Sequence, residues 1–218
     1  MKKFTVSMTT RFVELASKQI RNKNHIITLM FEAITLLTYG DILDNPTNNY
    51  IMLRVDKMKR LFFVIEDKVY SFNFPFNVEI KEGERNPIIY DPVSDLELDA
   101  LNLTILRSAY EEMFYQDDGK RNILDLDSEL IQVMDCFDTN HNKDIIWQIF
   151  KRLLTFESGY LRYDYDEKRE NGKLHPLNHL DINYSSEGTF KIGINNKVDY
   201  NTFIDILDIR TDCYFISK

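Results

Sequence analysis

The amino-acid sequence predicts an α+β fold: antiparallel sheets with N-terminal, central and C-terminal helices packed on one face. Three observations lead to this class. Apolar residues recur at helical spacing over residues 9–38, 94–115 and 144–156. The period switches to two after Gly159, as in half-buried strands. Between residues 50 and 81 short apolar runs follow one another too closely for parallel crossovers, which leaves a meander. A load of 15 Phe and 12 Tyr suits strands and a thick core.

Phe12, Val13, Ala16 and Ile20 form the first helical stripe, and Ile27, Met30, Phe31, Ile34 and Leu37 the second, with a break at Asn22-Lys23-Asn24. Gly40 to Asn49 is loop, marked by Asp44-Asn45-Pro46. Tyr50–Val55, Leu61–Ile65, Val69–Phe74 and Val78–Lys81 then read as four strands of the meander. Ser94-Asp95-Leu96-Glu97 has the form of a capping box opening a helix that runs to about Tyr115, with Leu98, Leu101, Ile105 and Ala109 on one face. A polar loop over 116–121 and a short helix over 127–137 follow. Ile145, Ile146, Ile149, Phe150, Leu153 and Leu154 give the cleanest core-directed helix. Three strands come next, around Leu161–Tyr165, Leu180–Tyr184 and Phe190–Ile194, and a closing helix spans about 199–209. The 218 residues are expected to form a single domain: a helical segment (1–40), the meander (50–81), a helical middle (94–156) and a three-stranded sheet with its closing helix (160–218).

Charge narrows the function. A formal net charge of −8 opposes general nucleic-acid binding, which draws on a basic footprint. Two local basic groups, Lys18/Arg21/Lys23 and Arg54/Lys57/Lys59/Arg60, read as solvated faces. Cys136 and Cys213 have no CxxC partner, which suits reduced thiols and a cytoplasmic location. Met1-Lys2-Lys3 precedes no apolar stretch, so no signal peptide is expected, and His25–Leu37 is too short and too polar to span a membrane. Abundant Asn, Ile, Lys and Asp suit an AT-rich bacterial genome.

The chemistry gathers near the C-terminus. Asn171-Gly172 is a strong hairpin signal, since both residues accept positive φ in a type I′ turn. Centring the turn there sets Arg162 opposite Asp181 and Asp164 opposite His179, while Leu161 meets Ile182 and Tyr163 meets Leu180. Every apolar pair then falls on one face and every complementary polar pair on the other, a partition that a one-residue slip destroys. The polar face is expected to be solvated. It carries Arg162, Asp164, Asp166, His179, Asp181, Asn183 and Lys191, with His175 just before it. His179, His175, Asp164, Asp181 and Arg162 are the candidate catalytic residues: His179 oriented by Asp164 for acid–base work, and Arg162 to stabilise an oxyanion. His175, His179 and Asp181 are the candidate ligands of a divalent metal, with Zn, Mn or Ni as matching ions. Opposite charges facing across a hairpin are also ordinary sheet pairing, at about 0.2–1 kcal/mol per pair.

The run Gly159-Tyr160-Leu161-Arg162-Tyr163-Asp164-Tyr165-Asp166, followed by His175-Pro176-Leu177-Asn178-His179-Leu180-Asp181, resembles the C-terminal signature of an uncharacterised bacterial domain family, an R-x-D-x-D strand with a downstream H-P-x-x-H segment. The resemblance covers about the last third of the chain. It implies no activity, and associates the chain with mobile elements or phage defence.

Three weaker patterns compete. His175-x-x-x-His179-x-Asp181 is similar to the metal motif of cyclase and formamidase-type hydrolases, but Leu177-Asn178 replaces their Gly-Thr. Asp138 to Asp144 opens like a calcium loop, but Lys143 and Ile149 stand where such a loop needs Gly and Glu. Asp67 with Glu79-Ile80-Lys81 has the loosest form of a nuclease signature. No phosphate-binding, dinucleotide or serine-hydrolase motif occurs. Two functions remain: a hydrolase acting on a phosphodiester or nucleotide through the His/Asp/Arg cluster, or a non-catalytic module that binds another bacterial or phage protein.

Overall fold

The computed structural model describes residues 2–112, 126–136, 143–184 and 190–214. In chain order the elements are β1 (Lys2–Ser7), α1 (Thr10–Ser17), α2 (Lys23–Tyr39), β2 (Tyr50–Val55), β3 (Lys59–Ile65), β4 (Lys68–Asn73), β5 (Asn77–Glu79), β6 (Ile88–Tyr90), α3 (Ala100–Tyr110), α4 (Leu126–Cys136), α5 (Lys143–Thr155), β7 (Leu161–Tyr165), β8 (Asn178–Ile182), β9 (Phe190–Gly193) and α6 (Tyr200–Leu207). They divide into two compact units. Unit 1 draws on residues 1–21, 43–73 and 159–218, and unit 2 on residues 22–42 and 74–158.

Unit 1 is built on one antiparallel sheet in the order β1-β2-β3-β4-β7-β8-β9. The two strand groups read separately in the sequence therefore form a single sheet, joined where Tyr70 of β4 faces Arg162 of β7. β1 was not anticipated. Its Phe4, Thr5 and Val6 are all buried, so neither face shows the polar alternation that marks a half-exposed strand.

Side-chain alternation gives this sheet two faces, and each carries a helix, where helices on a single face were expected. On one face α1 sets Phe12 edge-on to Phe63 at 6.1 Å, Phe63 stacks on Tyr70 at 4.7 Å, and the Tyr70 hydroxyl donates to the Ala16 carbonyl at 2.9 Å. α6 lies on the other face, where Phe203 joins Met52, Phe62, Val69, Leu161 and Tyr163 in one apolar cluster. Both helices start as their sequences dictate: the side chains of Thr9 and Asp199 accept the Phe12 and Thr202 amides that the first turns leave unpaired.

Unit 2 holds α2, the β5–β6 hairpin, α3, α4 and α5. β5 pairs with β6 alone, so the fourth expected strand leaves the meander after Pro75. The helix expected from Ser94 begins at Ala100 instead, capped by Asp99. Ser94 is engaged elsewhere: Asp91 accepts from the Val93 amide, the Ser94 amide and the Ser94 hydroxyl, closing a turn before the helix. α5 buries Ile146, Ile149, Phe150 and Leu153, as its stripe requires. The 116–121 loop and most of the Asp138–Asp144 run lie outside the described residues. Among the described residues no helix is long and apolar enough to cross a membrane.

The β7–β8 register is the one the sequence predicts: Leu161↔Ile182, Arg162↔Asp181, Tyr163↔Leu180 and Asp164↔His179. The turn is different. β7 ends at Tyr165 and β8 begins at Asn178, and the connection folds on itself through an Asn171↔His175 bridge. Only Gly172 of the Asn-Gly pair has positive φ, at 52°. Segregation of apolar from polar side chains thus holds this register without a two-residue turn at its end.

Candidate functional site

Arg162 and Asp164 project from β7, and His179 and Asp181 from β8, onto the face of the sheet that α1 covers. The solvated face expected from sequence is buried: Arg162 and Asp164 are 5% exposed, Asp181 1% and His179 0%. Two elements produce this. α1 packs over Tyr70, the neighbour of Arg162, and its last residue accepts a hydrogen bond from Lys68, which faces Asp164. The 166–177 connection closes the other side, with the His175 ring edge-on to His179 at 4.8 Å. Pro176 lies over the backbone of Gly193, so close that a β-carbon there would sit 2.9 Å from the Pro176 ring.

Arg162 organises the cluster. Its Nη2 donates to Asp181 Oδ2, and its Nε lies 2.8 Å from Asp164 Oδ2 in ion-pair contact, without pointing its N–H along that line. Burial disfavours the guanidinium charge, but Tyr160, Asp164 and Asp181 outweigh it and raise the pKa of Arg162 further. Burial also pushes the Tyr160 phenol well up, which keeps it neutral.

His179 is held by its backbone. Its Nδ1 lies 2.8 Å from the Pro176 carbonyl. A carbonyl oxygen only accepts, so Nδ1 carries the proton. Nε2 then points into the cluster, 3.7 Å from Asp164 Oδ2 and 4.0 Å from Asp181 Oδ1, with no hydrogen-bond partner. Asp164 Oδ1 is likewise buried without a partner.

His175 is placed differently from the other candidates. Its Nε2 sits 3.2 Å from Asp166, and its Nδ1 lies 3.0 Å from the Lys191 ammonium. Asp166 also pairs with Arg169 at 2.8 Å. Burial pushes the Asp166 carboxyl up, but the His175 and Arg169 contacts dominate and hold it below the usual carboxylate range. The carboxylate and imidazole atoms that gather within 4.8 Å of one another belong to Asp164, His179 and Asp181. Asp164 therefore stands where His175 was expected among the candidate metal ligands. Tyr160 and the Pro176 carbonyl were not foreseen. Tyr160 has a sequence signal, since it shares strand parity with Arg162 and Asp164.

The other described sequence candidates are engaged within their own units. Asp67 sits in the β3–β4 turn, paired with Lys197 at 3.6 Å. Glu79 ends β5 and accepts from the Tyr90 hydroxyl, and Lys81 lies beyond the strand. Of the basic groups, Lys23 caps the carbonyls of Leu154 and Phe156. Arg60 is buried against Ser71, Asn73 and the Gly159 carbonyl, and burial pulls its pKa down to about 10. Cys136 and Cys213 are both free and exposed.

No family model, curated protein or solved structure matches the chain.

Proposed function

We propose that the protein is a non-catalytic interaction module that binds another protein, and that its His/Asp/Arg cluster serves the integrity of the fold. The observation that carries this reading is burial: none of Arg162, Asp164, His179 and Asp181 is more than 5% exposed. An active site is ordinarily a concave pocket that a substrate can enter. A packed polar group braced by an arginine and closed to solvent is ordinarily structural. Exposed apolar side chains such as Tyr39, Val93 and Leu101 supply contact area without entering the core.

A second reading keeps one specific observation in its favour. An imidazole with a fixed tautomer, facing two carboxylates braced by one arginine, has the composition of a hydrolytic centre for a phosphodiester or nucleotide. One experiment separates the two. The purified protein is incubated with phosphodiester and nucleotide substrates, with Zn²⁺ or Mn²⁺ supplied, beside a folded Asp181→Asn variant. The module reading expects no turnover that depends on Asp181. Turnover in the wild type that is lost in the variant would replace it with the hydrolase reading. The positive test is binding to a purified partner: Tyr39→Ser and Leu101→Ser should weaken it, and Asp181→Asn should not.

A further inference from the structure

The atoms around His179 Nε2 are spaced as ligands are spaced, not as hydrogen-bonding partners. A charge-assisted N–H···O bond draws its atoms to about 2.7–2.9 Å. Here Nε2 stands 3.7 Å from Asp164 Oδ2 and 4.0 Å from Asp181 Oδ1. Two atoms that each lie about 2.1 Å from one metal ion are at most about 4.2 Å apart, and both histidine distances fall inside that limit. Nδ1 is committed to the Pro176 carbonyl, so Nε2 is the ring nitrogen that faces the two carboxylate oxygens, and whenever it is unprotonated its lone pair points toward theirs. The buried Nε2 and Asp164 Oδ1 both lack a hydrogen-bond partner. A cation between Nε2 and these carboxylates would relieve the repulsion and give Nε2 a partner.

We infer that Asp164, His179 and Asp181 form a divalent-cation site of the Zn²⁺ or Mn²⁺ class, with His179 bound through Nε2. One imidazole and two carboxylates, without thiolate, suit such ions better than Mg²⁺ or Ca²⁺, which take oxygen ligands. The surroundings are those that orient metal ligands. A ligating histidine characteristically donates its other ring N–H to a carbonyl or carboxylate, and His179 Nδ1 does so to Pro176. Arg162 holds Asp181 through Oδ2, and Oδ1 is the Asp181 atom that lies 4.0 Å from Nε2. His175 is outside the set, because Asp166 and Lys191 hold its two nitrogens. The inference goes beyond the interaction-module reading and is independent of it: a bound ion without turnover supports both, and absence of an ion leaves the module reading standing.

The test begins with metal-free protein from dialysis against a chelator, followed by Zn²⁺ or Mn²⁺ in slight excess and desalting. Elemental analysis should find one ion per chain in the wild type and in His175→Ala, and the melting temperature of both should rise. Asp164→Asn, Asp181→Asn and His179→Gln should bind at least about 10-fold more weakly, the lower end of what even second-shell changes cost a metal site. No bound ion in the wild type, equal binding in the three ligand variants, or loss of binding in His175→Ala would overturn the site. Should the ligand variants fail to fold, the ring ¹⁵N signals of wild-type His179 decide. Zn²⁺ should shift Nε2 and leave Nδ1 protonated, and an unmoved Nε2 would overturn the assignment.

Discussion

Unit 1 contains two four-residue charge clusters, each with two aspartates and two nitrogen bases, and they are finished differently. In the first, Arg54 reaches Asp56 and Asp208 at 3.1 and 2.7 Å, and Arg210 reaches the same two residues at 3.1 and 2.5 Å. The Met58 amide takes the remaining oxygen of Asp56, and the Arg210 amide and Nε take that of Asp208. Every carboxylate oxygen has a donor. In the second, Arg162 serves both Asp164 and Asp181, but His179 adds no donor toward them, and Asp164 Oδ1 is left bare. Guanidinium groups carry five donors in a fixed fork and can saturate two carboxylates, whereas an imidazole that commits Nδ1 to a backbone carbonyl has a single nitrogen left to face both. Equal numbers of acidic and basic residues therefore do not imply equal completion.

The largest expected effect follows from removing the arginine of the incomplete cluster. Arg162→Met leaves two buried carboxylates unpaired and should cost about 3–5 kcal/mol in urea unfolding. A loss below about 1 kcal/mol would show that the cluster opens to water, and the contrast would fail. Acid sharpens the comparison from the other side. Arg210 holds the Asp208 carboxyl well below the usual range; burial raises Asp56, but the Met58 amide and Arg54 outweigh it and lower it too. Both groups have folded pKa values under the unfolded value of about 3.9. The folded state then binds fewer protons than the unfolded state below about pH 5, so the stability these groups add at neutral pH is lost as pH falls through about 4 and on through the lowered folded values. Melting curves from pH 7 to 3 should show Asp208→Asn losing less than wild type over this interval. Equal losses would mean that Arg210 does not engage Asp208 in solution.

Gly172→Ala tests the hairpin tip away from both clusters. Nothing lies within 4 Å of its missing β-carbon, so the change adds only left-handed backbone strain, about 1–2 kcal/mol. Cross-strand nuclear Overhauser contacts should still pair Tyr163 with Leu180. The smallest effect belongs to Arg210→Met. Its side chain is 42% exposed and Arg54 still serves both aspartates, so the urea unfolding midpoint should stay close to that of the wild type.

What was legible in the sequence follows the distance over which a signal acts. The pairing of Arg162 with Asp181 and of Asp164 with His179 was readable, because the two strands lie close in sequence and only an odd register keeps Leu161 and Tyr163 apart from the charges. The burial of those charges was not, because the cover comes from α1 and from the path of the 166–177 connection, neither of which writes a pattern into β7 or β8. His175 was grouped with His179 on spacing alone, and the fold turns its nitrogens toward Asp166 and Lys191. Capping was half readable: Asp199 caps α6 as its position suggests, while Ser94 fits a capping box yet is taken up by Asp91.

The pairing of β4 with β7 has a consequence during synthesis. β4 ends at Asn73 and β7 starts at Leu161, with the 85 residues of the long unit 2 segment, 74–158, between them. At roughly 5–20 residues per second, β4 waits on the order of 4–17 s on the ribosome before its neighbour exists. Through that interval Val69, Tyr70 and Phe72 stand on an open strand edge, the kind of edge that recruits other chains. Unit 1 begins first and is completed last, and unit 2 has all its residues before β7 emerges. Nascent chains stalled at residue 158 should thus aggregate or hold a chaperone at β4, and chains stalled beyond β8 should release it.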